Sequence, residues 1–95
     1  MIIRPEAESD LANARDWYEK QREGLGGEFL QCVEEALDRI VQAPQSHPII
    51  YRRVRRARVR RFPFLVYYRL ESDELTVLGV LHGSRDPRIW RSRSS

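Results

Sequence analysis

FLVYYRLESDELTVLGVL, residues 64–81, is the stretch that decides the fold. Phe64, Val66, Tyr68 and Leu70 alternate with Leu65, Tyr67 and Arg69. The polar tetrapeptide ESDE follows at 71–74, and then Leu75, Val77, Gly79 and Leu81 alternate with Thr76, Leu78 and Val80. A period of two on either side of a polar turn is the pattern of a β-hairpin. Both sets of side chains are apolar, so both faces of this hairpin have to be covered. One cover is expected to be helical. The other is expected to be a chain end, a partner, or both.

The helical cover is legible upstream. MIIR at 1–4 reads as a short strand. Pro5 suits the first turn of a helix, where its missing N–H costs nothing, and the acids that follow suit the positive end of the helix dipole. Ala7, Leu11, Ala14 and Tyr18 then recur at helical spacing and predict a helix to about Arg22. GLGG at 24–27 breaks it, with Gly24 as its cap. Phe29, Val33, Ala36 and Ile40, widened by Leu30 and Leu37, predict a second helix that ends before Pro44. So short a link predicts an antiparallel pair.

Between helices and hairpin lies the loop PQSHP, residues 44–48, and then YRRVRRARVRRF, residues 51–62. Seven of the ten residues from Arg52 to Arg61 are arginine. Val54 and Val59 are five apart and cannot share one face of an unbroken strand. A turn or bulge near Arg55–Ala57 is expected to return both to the core, making the ribbon two short strands with arginines on their solvent sides. Three readings of those arginines stay open: a solvated face, a phosphate-binding surface, or a dock for an acidic protein segment. Carboxylate and phosphate offer a guanidinium the same fork geometry, so composition does not separate the last two.

The chain has 95 residues, which suits a single domain over 1–95, with 41% apolar residues for its core. The lone Cys32 falls in a helical apolar pattern and reads as a small buried residue. MIIRPEAESD has no signal-peptide character, and no run reaches a membrane span, which points to a reducing cytoplasm. The net charge of +3 conceals a polarity. Residues 1–43 carry ten acids against five basic residues, whereas residues 44–95 carry twelve arginines against four acids.

Catalytic patterns are sparse. GLGGEF lies between helices and not after a strand, so it is no phosphate loop. Two histidines and one cysteine in unrelated places make no zinc site, and neither a metal nor a cofactor is expected. The acids are read as solvated helix surface. The one constellation with chemical potential is His82, Arg85 and Trp90 just after the last strand, with Arg60, Arg61 and Arg69 on or beside the strands expected to neighbour it. Guanidinium groups with an imidazole suit a pentacoordinate phosphate and a proton transfer in RNA cleavage. The bland alternative has His82 capping the strand and Arg85 pairing with Asp86 or the chain end.

WYEKQREGLGGEFLQCVEEALDRI, QAPQSHP, RRARVRRFPFLVYYRL and VLGVLHGSRDPRIW together resemble the RelE/ParE superfamily of bacterial toxins, from about Ala7 to Trp90. The likeness is greatest to members labelled plasmid stabilisation proteins. It implies an α+β domain ordered β-α-α-β-β-β(-β): a helical hairpin on one face of a twisted antiparallel sheet, with a short C-terminal helical turn. It also implies a partner, an antitoxin with an acidic or amphipathic tail, for which Arg53, Arg56, Arg58, Arg60, Arg61 and Arg69 are candidate contacts.

Two targets follow from the resemblance. RelE-like members cut messenger RNA on the ribosome, which would make the chain an endoribonuclease using Arg61, His82 and Arg85. The chain departs from that pattern at Phe64, where those nucleases place an arginine, and at Trp90, which lacks the hydroxyl of their near-terminal tyrosine. ParE-like members inhibit DNA gyrase without a catalytic set, and here Arg85, Arg88, Trp90 and Arg91 are the candidate contacts. Growth arrest through gyrase is the leading expectation. A generic nucleic-acid-binding module is the third.

Overall fold

A computed structural model describes residues 1–94. It contains β1 (Ile2–Ile3), α1 (Pro5–Gln21), α2 (Leu25–Gln42), β2 (Ile49–Tyr51), β3 (Val54–Arg58), β4 (Phe64–Glu71), β5 (Glu74–His82) and α3 (Pro87–Arg91). The sheet order is β1-β5-β4-β3-β2. This is the expected α+β order with one difference: β1 runs parallel to β5, so the sheet is mixed rather than wholly antiparallel.

The helical hairpin covers one face. Ala7 and Ala14 of α1, with Phe29, Val33, Ala36 and Ile40 of α2, bury against Val66, Tyr68, Val77 and Val80 of the central strands. Phe29 is the hub, its ring centre 5.3 Å from Phe62 and 5.0 Å from Phe64. Cys32 is buried among them as a free thiol. The link between helices depends on two glycines. Gly24 adopts φ 88°, a left-handed conformation that disfavours side chains, and a Cβ on Gly26 would stand 2.7 Å from the carbonyl oxygen of Arg15. Glu19 fastens the junction by accepting from the N–H groups of Gly24 and Gly26 at 2.9 and 3.0 Å.

The second face is covered by the chain itself. Trp90 of α3 stacks on Tyr67, with centroids 5.0 Å apart and planes within 16°, and forms a second core with Val54, Leu78 and Leu81. Of the expected covers, the chain end is the one present. This face therefore does not by itself require a partner.

Two expectations about register are overturned by that second core. β3 is continuous through Val54–Arg58, and no bulge lies at 55–57. Val54 faces α3 whereas Ala57 and Val59 face the helical hairpin, so the odd spacing is what a strand buried on both sides needs. The irregularity sits instead in β5. Tyr67 pairs with Gly79 and Tyr68 with Val77, leaving Leu78 as the extra residue of a bulge. Beyond it the faces exchange. Val77 and Val80 both point to the helical hairpin, while Leu78 and Leu81 point to α3.

The bulge is held by a latch. Asp10 of α1 accepts from the Val80 N–H at 3.0 Å and pairs with Arg93 at 2.6 Å, while Arg93 also donates to the Leu78 carbonyl at 3.2 Å. Arg4 in turn donates to the Arg93 carbonyl at 3.1 Å. The acids of the helices are thus not uniformly solvated surface: Asp10 and Glu19 both satisfy backbone groups.

Candidate functional site

The arginines of residues 52–61 divide by the alternation of β3 and by the two loops that flank it. Arg55 turns inward and donates to the carbonyls of Gln45 (3.2 Å) and His47, tying down the loop after α2. Arg52 lies over the Tyr51 ring at 5.2 Å, and Arg53 is 3.4 Å from Glu71. Arg56, Arg58 and Arg60 are exposed. Among the described residues their side chains make no hydrogen bond or ion pair.

Arg58 and Arg60 open onto a hollow of about 540 Å³ that Arg39, His47, Val59 and Arg61 complete. Four arginines and an imidazole therefore enclose one volume without a lining carboxylate. Its members are held in place. Arg39, in the last turn of α2, donates to the Arg58 carbonyl at 2.8 Å. Arg61, at φ 72°, reaches back to Glu28 at 2.8 Å, which Arg22 holds from the other side at 3.0 Å. The hydrogen bonds from Arg61 and then Arg22 keep the Glu28 carboxyl below its usual range. Tyr68 donates to the Pro44 carbonyl at 2.7 Å, so its oxygen is free to accept from His47 Nδ1 at 3.2 Å. Arg39 and His47 were not among the residues singled out by sequence. The position of Arg39 in the final turn of an amphipathic helix, just before the ribbon, was the available signal.

His82 and Arg85 meet elsewhere, in a smaller hollow of about 210 Å³ lined also by Asp10, Asn13 and Phe64. An apolar recess formed by Trp17, Tyr18, Pro63 and Phe64 adjoins it at His82. Trp17 is 58% exposed at its rim. Arg61 lines neither recess. The ring of His82 packs edge-on against Phe64, 5.5 Å between centres. Its Nδ1 accepts from the Ser84 N–H at 3.0 Å and lies 2.7 Å from the Ser84 hydroxyl. In the neutral ring the proton then sits on Nε2, and the one lone pair suited to accept a proton is already occupied.

At the C-terminal side Asp86 caps α3 by accepting from the Arg88 N–H at 2.9 Å, and its carboxylate also takes the Arg88 guanidinium at 2.6 Å. These bonds hold the Asp86 carboxyl below its ordinary range. The bland alternative had paired Arg85 with Asp86 or the chain end. Arg88 takes that role because the capping turn brings it back over the carboxylate. The Arg85 N–H donates to the His82 carbonyl at 3.0 Å, and the Arg85 side chain makes no hydrogen bond or ion pair among the described residues. Arg91 lies over both Tyr51 and Trp90, at 5.1 and 5.4 Å. Trp90 itself is only 5% exposed. Arg69 is half-buried and spent internally, on the Ser94 carbonyl at 2.9 Å and Glu71 at 3.3 Å. No helix is long and apolar enough to cross a membrane, and no three His, Cys, Asp or Glu side chains are grouped to hold a metal, among the described residues.

Residues 1–87 match the family described as "ParE toxin of type II toxin-antitoxin system, parDE". A solved structure titled "Chromosomal ParDE TA system from P. aeruginosa" superposes with a TM-score of 0.63 at 20% identity, covering 86% of this chain and 95% of its own. No curated protein matches.

Proposed function

The chain belongs to the ParE family of toxins of type II toxin–antitoxin systems, and from that premise we propose that it arrests bacterial growth in the cytoplasm by binding DNA gyrase, acting as one domain over residues 1–95. The observation that carries this over RNA cleavage is the separation of the nuclease candidates. Arg61 is bound to Glu28 beside one hollow, while His82 and Arg85 line another. His82 in its neutral form directs its lone pair at Ser84 and so is not poised as a general base for a ribose hydroxyl. A gyrase poison needs surface and no base.

Arg85, Arg88 and Arg91 are the exposed contacts in this reading, clustered around α3. Trp90 contributes from beneath, by stacking on Tyr67 and holding α3 against the sheet. The cognate antitoxin neutralises the toxin by laying an acidic or amphipathic segment across the exposed arginines Arg53, Arg56, Arg58, Arg60 and Arg61. Arg69, already committed to Ser94 and Glu71, serves the fold in this scheme.

The test is a supercoiling assay with purified gyrase, run beside induction in growing cells. Inhibited supercoiling, filamentation and an SOS response are expected, and both Arg88→Gln and Arg91→Gln should weaken inhibition. Toxicity should survive His82→Ala combined with Arg85→Gln better than it survives the α3 variants. Rapid translation arrest with messages cut at the ribosomal A site, abolished by His82→Ala, would replace this reading with the nuclease.

A further inference from the structure

The hollow lined by Arg39, His47, Arg58, Arg60 and Arg61 shares no lining residue with the recess at His82 and Arg85. The gyrase contacts proposed above make no use of it, and the antitoxin proposed above covers part of it only in the neutralised complex, leaving it open in the free toxin. We infer that it is a binding site for the phosphodiester backbone of duplex DNA. The geometry favours phosphate over a carboxylate. A carboxylate presents its two oxygens in one plane, where a single arginine fork can meet both, whereas here donors arrive from α2, from the loop after it, and from the end of β3 and its following loop. Guanidinium groups converging from several directions suit an anion that presents oxygens on several sides.

The state of these side chains supports a ligand that is absent from the chain itself. Of the two anionic demands already met, Glu28 occupies Arg61, and a backbone carbonyl occupies one nitrogen of Arg39. Among the described residues the side chains of Arg58 and Arg60 are exposed and without a hydrogen-bond or ion-pair partner, so their pairing energy with an anion is still to be gained. Arg56 continues the line. It lies two residues before Arg58 on the same face of β3, about 6.7 Å away at the rise of a strand, opposite Tyr67 as Arg58 is opposite Leu65, so a backbone that passes over Arg58 around the strand meets another cation. Among the described residues that line the hollow the one aromatic ring is the imidazole of His47, engaged by Tyr68, while Phe62 is buried beneath Arg61. With no Phe, Tyr or Trp in the lining to stack a base, binding is to the backbone and indifferent to sequence.

The measurement is fluorescence anisotropy of the purified toxin alone with a short, mixed-sequence DNA duplex, over a series of salt concentrations. Binding is expected to weaken with salt, the logarithmic slope reporting about 0.9 per phosphate engaged. The double variant Arg58→Gln with Arg60→Gln should bind roughly tenfold or more weakly at low salt, with the slope smaller by about 2. Both side chains are exposed and make no hydrogen bond or ion pair among the described residues, so the variant's thermal unfolding should match that of the parent. Arg88→Gln with Arg91→Gln should keep the parental slope. Three outcomes overturn the inference: no binding by the parent, equal binding by the Arg58/Arg60 variant, or loss confined to the Arg88/Arg91 variant. An oligoglutamate of matched charge runs alongside. If the Arg58/Arg60 variant loses the peptide and keeps the duplex, the hollow is an acidic-peptide dock and the DNA assignment is wrong. The gyrase reading stands or falls separately, on supercoiling.

Discussion

Asp10 shows how one carboxylate can be assigned two duties that its sequence position conceals. It neutralises Arg93 and accepts from the backbone N–H that the β5 bulge leaves exposed. Both partners are largely withdrawn from water, so removing the carboxylate strands an arginine and an amide together. Asp10→Ala should cost about 3 kcal/mol of unfolding free energy, and Asp10→Asn less, because the amide oxygen still serves Val80. Chemical denaturation of the two variants separates the charge from the cap. Tyr68 makes a second prediction. Burial raises its pKa above the usual 10.0, partly opposed by Arg55. The folded value exceeds the unfolded one, so the contribution is complete below about pH 10 and is lost as pH climbs through the folded value. Melting temperature should fall over that alkaline window, and less steeply in Tyr68→Phe. Neither role was legible in the sequence. The pairing of Asp10 with Arg93 spans 83 positions, and no local spacing encodes it.

Secondary structure was legible wherever a period was sustained. Both helices announced themselves through Ala7–Tyr18 and Phe29–Ile40, and the β4–β5 hairpin through its alternation. What failed was the assumption of a single core. Val54 and Val59 were expected to share a face, and β5 was expected to alternate without interruption. A strand buried on both sides hides its register because every position is apolar, and Leu78, Gly79 and Val80 give no pattern by which a slipped residue can be seen. The missing information was α3. Its five residues carry too little sequence to reveal which face they cover, yet Trp90 organises that face. Trp90→Ala should lower stability by about 3–5 kcal/mol. It should also expose Tyr67, Leu78 and Leu81, read as increased binding of a hydrophobic dye below the melting transition.

At the scale of the whole molecule the charge division seen in the sequence becomes a division of surface. Acids of α1 and α2 consume only part of the opposing charge: Glu28, which also holds Arg22, takes Arg61, and Asp10 takes Arg93. The arginines of β3 and of the α3 region stay largely available to partners. Composition made a cationic face legible. It did not divide that face into a hollow beside α2 and a separate cluster around α3, because the division depends on where loops return. The latch adds an order of events to this arrangement. Asp10 is synthesised long before Arg93, and the second apolar face waits for Trp90. A ribosome-bound chain therefore carries its helices and strands while still lacking the clamp that completes them. Closure of the second core and of the clamp is thus deferred until Trp90 and Arg93 have left the ribosome, and every strand beneath them waits on those two side chains.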